Sequence, residues 1–266
     1  DSVIVTSPSF AGISNTSTDY ILKPLSGVLK FNNGLTNYLS SNLTDTVIFM
    51  SGSGLHIING TVSTKTSLST NSNTTFKIDG GNFEVGNDVS EHLLYKSGTD
   101  FDIINGNVII AGTFSRALPS SLIDLNITNN SIFKVNNVGN NDATRIGFDI
   151  SNIASTFNMN NGRVIVVNGN GTSASDFDFR LNSGNGIIDG GVIQIGDTLA
   201  TPNGTIFKIG GTTPIYDLHL ANDVAKNSIT KLEEVIFNIK NDFIIDDNHN
   251  FDLNSNTVNL SGDLIN

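Results

Sequence analysis

The stretch of this chain densest in groups able to do chemistry is Asp246-Asp247-Asn248-His249-Asn250-Phe251-Asp252. Asp246, Asn248, Asn250 and Asp252 alternate as oxygen ligands do in calcium loops, which makes them the candidate metal set. Phe251 stands where an EF-hand loop needs glycine, and no bidentate Glu follows at the required spacing. The stretch therefore reads first as a polar turn leading into a strand, and no cofactor is expected. Glycoside hydrolysis needs two carboxylates roughly 5–10 Å apart. Asp246 and Asp247, with Asp242 and Asp252 nearby, are the best local candidates. Lyase chemistry asks for a positioned base with charge neutralisation beside it. Arg116, Arg145, Arg163 and Arg180 are isolated in sequence, and His56, His92, His219 and His249 show no metal-ligand spacing. No catalytic residue is assigned, and the chain is not read as an enzyme.

Composition narrows the classes further. The 266 residues carry 15% charged side chains and a net charge of −11, where ordinary domains run nearer a quarter charged. Asn, about one residue in seven, replaces the missing ions with amides. The 14 basic residues form no cluster. Nucleic acid is excluded as a partner, because releasing phosphate counterions requires a basic face. Attraction to anionic headgroups is excluded on the same ground. With no cysteine there is no disulfide framework and no thiolate zinc site. No apolar run approaches the roughly 18 residues of a membrane helix, so this segment is not expected to insert. Asp1-Ser2-Val3 does not open a signal peptide, and the chain stops inside a patterned stretch at Asn266. The whole is expected to be a section of a longer protein.

The elements that position these groups come from a repeat. Phe76–Gly86, Phe101–Ile110, Phe157–Val166 and Ile187–Gly196 share one template: apolar-x-apolar, a turn of Asn, Asp or Gly, then apolar-x-apolar. Period-two alternation makes each half a short strand. The Asn-Gly or Gly-Gly between them tolerates positive φ, and serves either a hairpin or the corner of a solenoid. Spacing selects the corner. The central apolar residue recurs at Ile57, Ile78, Ile103, Val135, Met159, Ile188, Ile209 and Ile239, at intervals of 21 to 32 residues. A propeller blade would need roughly 40–45. Helical pattern is nearly absent, with Asn222–Val235 the one weak candidate. The expected fold is all-β: a right-handed parallel β-helix of about ten turns, in which Phe residues stack and corner Asn residues form amide ladders. It forms a single domain over 1–266, with less regular entry turns over 1–53, where Ser7–Thr18 is a loop, and repeats over 54–266.

Several segments carry a resemblance. Ser155-Thr156-Phe157-Asn158-Met159-Asn160-Asn161-Gly162, Gly190–Gly196, Thr201–Ile209 and Phe251–Leu260 occur in that order. From Phe76 to Asn266 the chain resembles the repetitive region of giant cell-surface proteins of Bacteroidota, exported by the type IX secretion system and including gliding-motility adhesins. The resemblance implies an extracellular, outer-membrane-attached filament that touches polysaccharide or an abiotic surface, with neighbouring repeats of the same chain as structural partners. The C-terminal secretion domain of that family is not visible in these residues. The resemblance also implies O-glycosylation at Asp-Ser/Thr-apolar triplets, which places candidates at Ser2, Thr46 and Thr198; from the residues alone each triplet reads first as a turn Asp before a strand. A structural and adhesive segment is the leading expectation, with ligand-binding residues unassigned and the loops Ser115–Ser121 and Asn168–Asp176 open to that role. A polysaccharide-degrading β-helix enzyme and a phage tail spike or fibre are the alternatives, since the fold alone does not separate them.

Overall fold

The structure is a computed structural model that describes residues 2–5, 21–40, 46–139, 144–169 and 177–266. Among these residues every regular element is a strand. The strands pair in parallel and stack as a β-solenoid of about nine turns, slightly fewer than expected from the repeats. At the usual spacing between neighbouring strands this gives a coil on the order of 40 Å long.

One turn shows how the sequence makes the coil. Thr75–Ile78 lies on a first face, Gly81–Val85 on a second and Leu93–Tyr95 on a third; Thr99–Ile103 then returns to the first face one rung on. The strands are short because each apolar-x-apolar unit ends at a turn residue. Gly81 shows why the corner is glycine. Its φ is +79°, and a Cβ there would lie 2.1 Å from the carbonyl oxygen of Gly60 in the rung below. Asn161, at φ +56°, supplies the same left-handed position at a later corner. The turn is therefore a corner between faces and not a hairpin. Early in the chain, Ser53–Thr64 rounds this corner without a break: its first half pairs with Thr75–Ile78 and its second with Gly81–Val85. This joins the first two faces into one fifteen-stranded sheet, while the third face is a separate ten-stranded sheet.

Alternation puts every second side chain inside. Leu29, Leu55, Phe76, Phe101, Leu125 and Phe157 stand in register up the first face. The rings of Phe76 and Phe101 stack at 5.0 Å and 9°, and on the third face Phe148 and Phe179 stack at 5.4 Å and 11°. Phe76, Phe101, Phe148 and Phe179 are all fully buried. Each such side chain contributes about 1.5–3 kcal/mol through burial, but only because the rungs above and below complete its surroundings.

Two expectations are corrected. Ile57, Ile78, Ile103, Met159, Ile188 and Ile239 do belong to first-face ladders, but Val135 and Ile209 do not. Val135 pairs with Val166 on the second face, and Ile209 pairs with Phe179 and Leu232 on the third. Ile127, paired with Ile103 and Met159, and Ile215, bridged to Ile239, are the missing rungs. All three faces carry the same apolar-x-apolar pattern, so period alone cannot say which face a strand joins. The helical candidate within 222–235 is instead the strand Ser228–Leu232, drawn into the third face beside Thr205–Gly210.

The first face has one interruption. After Thr156–Asn160 it continues only through isolated bridges, Thr156 to Asn185, Met159 to Ile188 and Ile215 to Ile239, before Ile236–Ile239 and Thr257–Leu260 form a separate two-stranded sheet. The second face runs past this point unbroken, from Arg163–Val166 through Val192–Ile195 to Asp217–Leu220.

Candidate functional site

The outward side chains of the first face form two rows that follow from the register. One row is Thr75, Asp100, Asp124 and Thr156; the other is Lys30, His56, Lys77, Asp102, Asn126 and Asn158. The second row begins basic. Lys77 and His56 approach the Asp79 carboxylate at 3.6 and 3.9 Å. Burial, then Lys30 and Lys77, push the His56 pKa down against the pull of Asp79.

Further along, three carboxylates gather. Asp100 and Asp124 are cross-strand neighbours, and Asp102 shares their surface. Burial first, and then the charges of Asp102 and Asp124, raise the Asp100 pKa to about 6, as expected when like charges share a partly desolvated place. Asp100 and Asp124 line a shallow groove of about 300 Å³ with Leu122 and Thr156.

The amides form a directed chain. The Ile187 backbone N–H donates to Asn158 Oδ1 at 2.7 Å, Asn158 Nδ2 donates to Asn126 Oδ1 at 2.6 Å, and Asn126 Nδ2 donates to Asp102 Oδ1 at 2.7 Å. Each amide donates in the same sense, so the bonds polarise one another. A shorter ladder of this kind on the second face runs from Asn107 to Asn82, 2.9 Å, and from Asn82 to Thr61, 3.3 Å.

The groups singled out in the sequence are placed differently. Asp246 accepts from His219 Nε2 at 2.9 Å and from the Asn222 backbone N–H at 3.1 Å. Asn248 donates to the Val224 carbonyl, Asn250 is exposed on the third face, and Asp252 accepts the N–H of Asn254 within its own turn. Three of the four candidate oxygen ligands thus serve separate local bonds, and the fourth, Asn250, faces solvent on another face. Among the described residues no group of three or more His, Asp and Glu is placed to hold a metal ion. His249 is buried, with Nε2 2.8 Å from Thr230 Oγ1 and Nδ1 3.2 Å from the Ala221 carbonyl; burial above all lowers its pKa to about 4. Asp242 accepts the Asp263 N–H at the corner between the first two faces, across the second-face strand from Asp246, and the exposed Asp247 offers its carbonyl to Asn222.

Arg116 pairs with the buried Asp149 at 2.9 Å and lines a cavity of about 200 Å³ together with Arg145. Tyr95 donates to the Asp149 carbonyl at 2.6 Å, and burial pushes its phenol well above the ordinary value. Arg180 pairs with Glu234 at 3.2 Å and covers the ring of Phe177, and Arg163 donates to Gln194 at 2.6 Å.

Of the modification candidates, Thr198 is exposed in a turn whose Asp197 carboxylate accepts the N–H groups of Leu199 and Ala200. Burial would raise the Asp197 pKa, but Lys134 at 3.0 Å and those two N–H groups hold it below the usual range. Ser2 and Thr46 begin the strands Ser2–Val5 and Thr46–Phe49; their side chains lie outside the described residues. The entry loop 7–18 also lies outside them. Of the two loops left open for binding, Ser115 belongs to a strand and is buried, and 170–176 of the other lies outside the described residues.

The carboxylate row of the first face escaped the sequence reading, and its amide row, expected at the corners, runs along the strands instead. Their signal is present at the x of each apolar-x-apolar unit, in Asp102, Asn126 and Asn158, and becomes visible once Ile127 is aligned with Ile103 and Met159. Comparison with protein-family models, with curated proteins and with solved structures returned no match.

Proposed function

We propose that this chain is an extracellular structural and adhesive segment of a cell-surface filament, holding polysaccharide along the outer surface of its first face. The observation that carries this reading is the row Asp102, Asn126 and Asn158. It is a flat strip of planar hydrogen-bonding groups repeating at the strand spacing, about 4.8 Å. That interval is close to the advance per sugar in an extended hexose chain, so successive sugars meet successive planar groups of the row. Support also comes from the parallel stacking, which gives a stiff rod, from the low charge, and from the resemblance to surface filaments. The test is retention of the protein on immobilised neutral polysaccharide. The wild type should be retained, and Asn126→Ala with Asn158→Ala should lower retention several-fold without loss of fold. Equal passage of wild type and variant through the column would sink this reading.

One observation favours a second reading, a polysaccharide hydrolase. Asp100, with a pKa near 6 beside Asp102 and Asp124, has the proton-holding character of a general acid with further carboxyl groups at hand. Release of reducing ends from a polysaccharide panel, abolished by Asp100→Asn, would establish it; an inactive wild type would remove it.

A further inference from the structure

We infer that the interruption of the first face is a saccharide-binding notch, selective for a neutral hexose chain; this rests on the adhesive reading and gives it a specific site. Where the ladder thins to isolated bridges, a cavity of about 420 Å³ opens at the corner between the first and second faces. That volume lies within the range of ligand sites.

Its walls combine the groups that recognise sugars. Tyr216 packs against the core on one side and lines the cavity on the other, offering an apolar face for ring C–H groups. Asp189, Asn130 and Asn161 are exposed around it, and their side chains make no hydrogen bond to any described residue. The Tyr216 hydroxyl is likewise without a partner among the described residues. Asp217 uses one oxygen to hold Asn241 and the Asp242 N–H, at 2.8 and 2.9 Å. On the strip of the first face, by contrast, Asn126 and Asn158 spend part of their hydrogen-bonding capacity along the row and keep the rest for a ligand.

Charge selects the ligand. The lining carries the carboxylates Asp189 and Asp217 and a single cation, Arg163, which is held by Gln194 at 2.6 Å. One cation against two carboxylates leaves the lining acidic, on a chain whose overall charge is −11. An acidic polysaccharide gains nothing there and is repelled at longer range.

The test is titration calorimetry of the chain with cellohexaose, mannohexaose, laminarihexaose and maltohexaose, with hexagalacturonate as the acidic comparison. At least one neutral hexasaccharide should bind and hexagalacturonate should bind more weakly. Asp189→Ala, at an exposed residue without contacts to lose, should weaken binding at least fivefold, as should Tyr216→Leu, with thermal unfolding confirming that both variants fold. If neutral sugars bind and neither variant changes the affinity, the notch is overturned while the adhesive reading stands. If Asn126→Ala abolishes binding and Asp189→Ala does not, the ligand lies on the strip and the notch is again overturned. Preference for hexagalacturonate overturns the neutral assignment. If no hexasaccharide binds but immobilised polysaccharide retains the protein, the notch is overturned alone; loss of both overturns both.

Discussion

Asn158 donates its side-chain amide to the side-chain carbonyl of Asn126 one rung below, at 2.6 Å, and this bond joins two strands whose backbones are already paired in register. Asn126 in turn donates to Asp102. The outer surface therefore repeats the logic of the backbone: each group is bonded to its counterpart on the next turn.

Removing the middle of that chain should be felt on both sides. Asn126→Ala leaves the Asn158 amide without its acceptor and Asp102 without its donor. Because the row is partly exposed, water replaces some of both, and the expected cost is about 1 kcal/mol. Urea unfolding of wild type and variant measures it.

The interior ladder is less forgiving. Phe101→Ala should cost about 3–5 kcal/mol by opening a cavity between Phe76 and Leu125. Phe101→Leu should cost less, about 1.5 kcal/mol or below, because Leu already fills this row at positions 29, 55 and 125. Equal losses for the two variants would contradict the ladder.

Asp100 makes stability fall as pH rises. Its folded pKa, about 6, is above the ordinary 3.8. Its contribution is fully present below about pH 3.8 and is lost as the carboxyl ionises toward pH 6. Asp100→Asn should therefore raise the melting temperature at pH 7.5 and change it little at pH 3.8.

His249 acts in the opposite direction over nearly the same window. Its folded pKa, about 4, is below the ordinary 6.5, so it favours the fold above pH 6.5 and loses that contribution as pH falls toward 4. The full effect is at most about 3 kcal/mol at 1.4 kcal/mol per unit. Melting curves of His249→Gln between pH 7.5 and 4.5 should show a shallower loss of stability on acidification than the wild type.

The corner glycines give the sharpest local test. Gly81→Ala forces a Cβ against the Gly60 carbonyl at 2.1 Å and at positive φ, so it should destabilise by several kcal/mol. Asn161→Gly, at φ +56°, should be tolerated within about 1 kcal/mol. Thermal unfolding of the two variants side by side checks the pair.

The architecture was legible in the sequence because its causes are local. Phe76-Lys77-Ile78 alternates, Gly80-Gly81 turns, and Phe83-Glu84-Val85 alternates again, which specifies strand, corner and strand. The assignment of strands to faces was not legible. Val135 and Ile209 have the same surroundings in sequence as Ile127, and only the lengths of the intervening connections separate them. The outer rows depend on that alignment, so Asp100, Asp102 and Asp124 looked like scattered acids. Asp246 and Asp252 misled for the converse reason: they are near in sequence, but the strand between them carries Asp252 away across the third face.

The interruption of the first face also has a mechanical meaning. A coil held on three sides shares an axial load among three ladders of backbone bonds. Between Ile188 and Ile215 the first ladder thins, and the load passes to the second and third faces, with Lys240 reaching over the gap to the Ile188 carbonyl. A chain pulled from its two ends should yield there first, hinging open on the unbroken second face, so that the rod behaves as two stiff blocks joined by one compliant rung.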